Sequence, residues 1–167
     1  ADALAIYDRL ETVDLEFMLG RWSGAEIPTD HPLDGLLAAS NWHGKRFIDP
    51  DNVHPLVLTT AFRFGNGRKY STTPMMLMMN LGMAVPLFKQ TWMKPVNGLV
   101  TRLVETKKSK ARMRMVDYRG KTSATMIYDR LPIHDHFRKL GEDAVMGLMD
   151  FKGQQTPYFF ILEREND

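Results

Sequence analysis

The sequence predicts a mainly β protein, a single antiparallel barrel whose short strands follow short N-terminal helices. Two observations lead to this fold class. Short segments rich in β-branched and aromatic residues recur along the chain, and glycine-containing turns such as Gly65-Asn66-Gly67 and Arg119-Gly120-Lys121 separate them. No repeat, low-complexity tract or linker divides the 167 residues, so we expect one domain over residues 1–167.

The predicted elements follow from local patterns taken in chain order. A helix is expected over residues 1–14, where apolar residues recur at helical spacing, and Pro32 suits the first turn of a second helix over residues 33–41. Residues 74–90 fit either a helix or an extended wall, and residues 132–139 are predicted as a tight turn or short helical piece. The predicted strands cover residues 22–27, 45–48, 56–64, 68–71, 99–106, 112–118, 122–129, 144–150 and 158–163.

Composition narrows the class of protein. Apolar residues make up 44% of the chain and charged residues 25%, a typical soluble mixture. No apolar run reaches the ~18 residues of a membrane span and no secretory signal is visible, so we expect a cytoplasmic protein, with a removed export signal as the alternative. The absence of cysteine excludes disulfides and thiolate metal sites.

The charge balance gives no reason to expect a nucleic-acid partner, because the net charge is only +2. One local run of basic residues is interpreted as a solvated turn that discourages strand-to-strand association. A phosphate- or headgroup-binding patch is the alternative. The run consists of Lys107, Lys108, Lys110, Arg112 and Arg114.

Methionine is unusually frequent, at 12 of 167 residues. Flexible thioethers can either fill an irregular core or form a deformable wall around a ligand, and both readings stay open. Strand alternation adds further methionines and aromatic residues to the predicted inner face. The candidate wall residues are Met75, Met76, Met79, Met113, Met115, Met126, Tyr128 and Phe160.

The most informative motif is the Gly-x-Trp-x-Gly element formed by Gly20, Trp22 and Gly24. Glycines beside a tryptophan let the backbone approach a large ring that must be covered. Four later segments, at residues 41–47, 124–129, 132–138 and 147–150, follow it in a consistent order. Together these motifs resemble the bacterial GXWXG-type domain of unknown function, a relative of the calycin barrels, which include lipocalins, fatty-acid-binding proteins and nitrobindins.

The resemblance spans roughly residues 15–164 and implies a calycin-like barrel. In calycins an arginine on a terminal strand commonly covers the tryptophan of the motif, which implies that Arg164 stacks on Trp22. The pair Tyr128 and Arg130 resembles the device by which fatty-acid-binding proteins hold a carboxylate. Both residues would then face the interior, where a guanidinium and a phenol can share a carboxylate.

These features favour non-catalytic binding of an apolar small molecule, such as a fatty acid or another lipid, without a cofactor or metal. No established catalytic motif is present. Two alternatives remain: a haem- or metal-binding barrel that uses His134 and His136, and an enzyme in which an inward-facing Asp117 acts as general base. The oligomeric state is not predicted.

Overall fold

The computed structural model describes residues 2–59, 68–74 and 103–166. Among these residues, three short helices precede or interrupt the first strands: α1 (Ala3–Arg9), α2 (Leu15–Met18) and α3 (Leu36–Ala39). The same ranges contain ten strands: β1 (Glu11–Thr12), β2 (Gly20–Ile27), β3 (Trp42–Asp49), β4 (Asn52–Thr59), β5 (Lys69–Ser71), β6 (Ala111–Tyr118), β7 (Lys121–Tyr128), β8 (Ile133–Lys139), β9 (Ala144–Phe151) and β10 (Tyr158–Arg164). Within the described residues, no helix is long and apolar enough to cross a membrane.

Eight of the strands form a closed antiparallel ring. Its order is β2-β3-β4-β6-β7-β8-β9-β10, and β10 pairs back with β2, so that Leu162 lies opposite Gly24. Two short strands lie off this ring. Strand β5 pairs with the last three residues of β4, and β1 pairs with the last two residues of β8. Closure of the ring provides hydrogen-bond partners for the backbone groups that would stay unpaired on the edge strands of an open sheet. The predicted fold class, a mainly β antiparallel barrel with short helices near the N-terminus, is confirmed.

Side chains from several strands meet in the interior of the barrel. Phe137 contacts both Phe47 and Phe160 edge to face, with ring centroids 5.7 Å and 6.2 Å away. Gly147 makes room for Phe160, because a Cβ at position 147 would overlap the phenyl ring. Aromatic pairs in this geometry add to the free energy of apolar burial. Other fully buried interior residues are Trp22, Val53, Met113, Met126 and Leu162.

A second apolar cluster lies on the outside of the barrel, under α1. Tyr7 of α1 is fully buried there against Phe159, with ring centroids 6.2 Å apart. The Asp2 side chain caps α1 by accepting the Leu4 N–H at 3.0 Å. The guanidinium of Arg138 lies 5.1 Å from the Tyr7 ring centroid and is 1% exposed. The outer face of β8 is therefore covered.

This cover explains the main error in the predicted elements. Residues 132–139 were expected to form a turn or helical piece, yet residues 133–139 form β8. Polar residues on the outer face of a strand usually indicate solvent, but α1 and the neighbouring strands bury them here. The helices predicted over residues 1–14 and 33–41 are shorter than expected. Of the strand predicted over residues 99–106, residues 99–102 lie outside the described ranges, and within residues 103–106 only Glu105 makes a strand-type bridge, to Thr72.

Candidate functional site

A buried ion pair crosses the interior of the barrel. Lys45 comes from β3 and Asp135 from β8, which lie on opposite sides of the ring. The Lys45 Nζ is 2.9 Å from Asp135 Oδ2, and the two side chains are only 4% and 1% exposed. Lys45 also donates to the carbonyl of Pro55 at 3.1 Å. Burying both charges costs desolvation free energy that the pair recovers only in part.

Aromatic rings surround this ammonium group. The Lys45 Nζ lies 4.9 Å from the centroid of Phe160 and 5.8 Å from the centroids of Trp42 and Tyr128. Trp42 meets Phe160 at right angles, with centroids 5.9 Å apart. Ring faces carry negative charge density and so stabilise a nearby cation. The ion pair therefore lies among aromatic rings, three of which are near the ammonium group.

The acidic member of the pair has an unused acceptor. Among the described residues, Asp135 Oδ1 is buried and has no hydrogen-bond partner, a costly arrangement for a carboxylate. Burial raises the pKa of Asp135, against the opposing effect of Lys45. Burial, and then the neighbouring Asp135, raises the pKa of Tyr128 well above its usual range, so its hydroxyl stays protonated and acts as a donor toward the Asp135 carboxylate. We call Lys45, Asp135 and Tyr128 the interior polar cluster.

Sequence reasoning missed two members of this cluster. Asp135 could have been found by alternation, since Ile133, Asp135 and Phe137 share a face with period two. Lys45 was harder to place, because the pairing of β3 with β4 is irregular between Gly44 and Arg46. A bulge of this kind re-aims side chains and breaks simple alternation.

The remaining predicted wall residues divide into three groups. Met113 and Met126 are fully buried in the apolar core of the barrel, and Phe160 lies in the same core with 2% of its surface exposed. The prediction that Met115 faces the interior is wrong, because Met115 is 43% exposed although it lies opposite the fully buried Ala124 of β7. The methionines expected at positions 75, 76 and 79 lie outside the described residues.

The predicted pairing of Tyr128 with Arg130 is also wrong. Strand β7 ends at Tyr128 and the chain bends at the next residues, so alternation does not extend to Arg130. Arg130 is exposed, whereas Tyr128 is 9% exposed and joins the interior polar cluster. The basic partner inside the barrel is Lys45.

The Gly-x-Trp-x-Gly element closes one end of the barrel. Trp22 is fully buried, and its Nε1 donates to the Met18 carbonyl at 2.8 Å. The Arg164 guanidinium lies 4.4 Å from the Trp22 ring centroid. It also donates to the carbonyls of Leu19 and Phe17 at 2.7 Å and 2.6 Å. Arg164 therefore joins the last strand to the segment before the first barrel strand.

The two glycines of the element have separate roles. Gly20 adopts a φ of +119°, a conformation that favours glycine, and the Arg164 guanidinium passes close to it. Gly24 leaves room for the indole of Trp42, because a Cβ at position 24 would overlap that ring. The motif thus links Trp22 at the barrel end to Trp42 beside the interior polar cluster.

We therefore expect Gly24→Ala to lower the free energy of unfolding by about 1–3 kcal/mol, the range for overpacking in a core. In a Trp42→Leu background, which removes the overlapping ring, the same change should cost clearly less. Urea unfolding of the four proteins in this double-mutant cycle measures the coupling. Equal costs of Gly24→Ala in both backgrounds would contradict the packing role assigned to Gly24.

The two alternatives to apolar-ligand binding have little geometric support. His136 stacks on Tyr118 at 3.8 Å and bonds to Thr125 Oγ1 through Nδ1 at 2.9 Å, and burial lowers its pKa to about 4. The His134 ring centroid lies 6.0 Å away, on the same outer face. In the described ranges, no group of three or more potential metal ligands is close enough to hold an ion. The prediction of an inward-facing Asp117 is wrong, because the strand end that carries Asp117 is exposed.

Comparison with known proteins identifies the family segments of this chain and a protein of similar fold. The family model "GXWXG protein" matches residues 5–62, and the model "Domain of unknown function (DUF4334)" matches residues 109–164. A crystal structure of a protein from Thermomonospora curvata is similar to this chain with a TM-score of 0.69 and 37% sequence identity, covering 99% of this chain and 89% of that one. No curated protein sequence matches significantly. The chain therefore belongs to the family defined by the GXWXG and DUF4334 segments.

Proposed function

We propose that the barrel binds a small, mainly apolar molecule, a fatty acid or another lipid, whose polar end contacts the interior polar cluster. The observation that carries this proposal is the buried Lys45–Asp135 pair, in which Asp135 Oδ1 has no partner among the described residues. Apolar residues of similar volume often stabilise a core at least as well as a buried ion pair does. Ligand-binding pockets, in contrast, typically have an apolar lining with a few polar groups.

The cluster offers complementary groups to a carboxyl or hydroxyl group. Lys45 Nζ has three hydrogens and two protein acceptors, Asp135 and the Pro55 carbonyl. The Tyr128 hydroxyl is directed at the Asp135 carboxylate and would turn to donate to the ligand, while Asp135 Oδ1 can accept. A carboxylate would accept from Lys45 and Tyr128, while a protonated acid or an alcohol would also donate to Asp135.

The apolar part of the ligand would lie against the aromatic rings around the cluster, chiefly Trp42 and Phe160. Met113 and Met126 would form the floor below them. Met75, Met76 and Met79 remain proposed wall residues on the strength of the sequence alone. A calycin relationship is part of the same proposal, since calycin barrels typically hold such ligands in their interior.

Native mass spectrometry of freshly purified protein, followed by calorimetric titration with fatty acids of increasing chain length, tests this function. Affinity should rise about fourfold per added methylene, which corresponds to ~0.8 kcal/mol, up to the chain length that the site accommodates. Tyr128→Phe should weaken binding about tenfold, because a hydrogen bond to a charged group contributes ~1.5–3 kcal/mol. Absence of binding at every chain length would overturn the proposal.

Tyr118→Phe is the matched control. It removes the same hydroxyl from a residue that stacks on His136 outside the barrel, so it should leave the affinity unchanged. If both tyrosine variants weakened binding equally, the loss would reflect general destabilisation and the placement of the ligand beside Tyr128 would be wrong.

A further inference from the structure

The charge balance of the interior polar cluster restricts the chemistry of the polar group that can lie beside it. Lys45 contributes one positive charge and Asp135 one negative charge, and the atoms Nζ and Oδ2 lie 2.9 Å apart. Tyr128 adds no charge, because burial raises the pKa of its hydroxyl well above the usual range. The cluster is therefore neutral before any ligand enters it.

A carboxylate at this position would disturb the balance. It would place a second negative charge beside Asp135, in a cluster whose side chains are all buried. Each buried ion loses its hydration, and the single positive charge of Lys45 cannot compensate two anions. Two carboxylates that share a buried site do not both stay ionised. A neutral polar group avoids this desolvation.

The hydrogen bonds of Lys45 leave little need for a further acceptor. Two hydrogens of its ammonium group have acceptors, Asp135 Oδ2 at 2.9 Å and the Pro55 carbonyl at 3.1 Å. The third is within reach of the Phe160 ring, whose centroid lies 4.9 Å from Nζ, and a ring face is a favourable neighbour for a cation. The protein itself therefore largely supplies what this ammonium group requires.

What the cluster lacks is a hydrogen-bond donor. Asp135 Oδ1 is buried and has no hydrogen-bond partner among the described residues. The Tyr128 hydroxyl is directed at the same carboxylate, but no hydrogen bond joins it to Oδ1. A buried carboxylate oxygen without a donor is costly. A ligand that brings an O–H group would remove that cost, whereas a ligand with acceptors alone would not.

We infer that the interior polar cluster selects a neutral aliphatic alcohol over a fatty carboxylate, with the ligand hydroxyl donating to Asp135 Oδ1. This inference rests on the proposed function, because it takes the polar end of the ligand to lie at the cluster. A hydroxyl group has one donor and two acceptor positions. It can therefore donate to Asp135 while it accepts from Tyr128, whose own hydroxyl turns from the carboxylate to the ligand.

A pair of isomers tests the need for a donor in the wild-type protein. Decanol and methyl nonyl ether have the same composition, but only decanol can donate a hydrogen bond. Decanol should bind at least about tenfold more tightly, because the ether leaves Asp135 Oδ1 without a donor. NMR titration of protein with ¹³C-labelled methionine methyl groups measures both affinities. The Met126 methyl should report binding, since Met126 is fully buried and lies opposite Asp135 in the pairing of β7 with β8.

A variant that changes the charge of the cluster tests the selection against a carboxylate. Decanoate, which is ionised at about pH 8, should bind the wild-type protein at least about tenfold more weakly than decanol does. Asp135→Asn leaves Lys45 without its anion, so decanoate should become the tighter ligand of the two. Asp51→Asn is the matched control, because it makes the same change at a residue that is 72% exposed and pairs with Arg114. It should change either affinity by less than about twofold.

The outcomes distinguish a failure of this inference from a failure of the proposed function. If none of the three ligands shifts the Met126 methyl signal, both are overturned. If decanoate binds the wild-type protein more tightly than decanol, or if the ether binds as tightly as decanol, the proposed function stands and the selection of an alcohol is wrong. The same conclusion follows if Asp135→Asn is folded by circular dichroism and keeps the wild-type order of affinities. Should that variant not fold, the comparison of decanol with its ether isomer decides.

Discussion

Trp22→Ala should lower the free energy of unfolding by about 3–5 kcal/mol, the range for truncating a large aromatic residue in a core. Trp22 is fully buried, donates to the Met18 carbonyl and is covered by the Arg164 guanidinium. The substitution removes the ring and leaves a cavity at the barrel end. It also removes the surface on which Arg164 stacks, so the α2 segment should loosen as well.

Urea unfolding monitored by far-UV circular dichroism measures this loss, and Ile48→Ala is the control. Ile48 lies on β3 and is 48% exposed, so its truncation should change stability by less than about 0.5 kcal/mol. A comparable loss in both variants would contradict the role of Trp22 as the principal packing residue at this end. Hydrogen exchange at residues 15–19 would show the loosening of α2 directly.

Separating Lys45 from Asp135 should have the second large effect. Lys45→Met leaves a buried carboxylate without its cation, and Asp135→Leu leaves a buried ammonium group without its anion. Each single change should destabilise the fold by about 3–5 kcal/mol. The double variant Lys45→Met/Asp135→Leu removes both charges and should unfold within about 1 kcal/mol of the wild type, or at higher denaturant concentration.

The exposed pair of Arg114 and Asp51 is the control for this cycle, because both residues are partly or largely in solvent. Its coupling free energy should stay below about 1 kcal/mol. The double variant Lys45→Met/Asp135→Leu also distinguishes an effect on stability from an effect on binding. It should fold, but it should lose the polar contact to the ligand. A double variant as unstable as either single one would mean that the pair is needed for packing itself.

The strands with one clear face were predictable from the sequence. In β6 and β7, Ala111, Met113, Ala124 and Met126 alternate with polar residues, and the structure buries all four. Alternation ends where a strand ends, which is why extending it to Arg130 failed. The strand boundary depends on the turn after β7 and on its partners, and neither is visible in the local pattern.

The candidate site was less predictable, because it depends on contacts between distant segments. Nothing near Lys45 in the sequence indicates that β8 lies opposite it, since that relation follows only from closure of the ring. Residues 132–139 looked solvated because they are rich in charge, but α1 covers one face and the interior covers the other. Asp135 was therefore assigned to a turn, although its alternation with Ile133 and Phe137 was present in the sequence.

The closure of β2 onto β10 has a consequence for how the chain folds during synthesis. The contact between Arg164 and the Leu19 carbonyl spans 145 residues, and long-range pairings of this kind slow folding. At about 5–20 residues per second, the ribosome needs roughly 7–29 s to extend the chain across that span. Throughout that interval the growing sheet has an open edge at β2, which can pair with other chains. Aggregation of the nascent chain should therefore be greatest before β10 emerges, and a truncation before Arg164 would leave that edge without part of its partner.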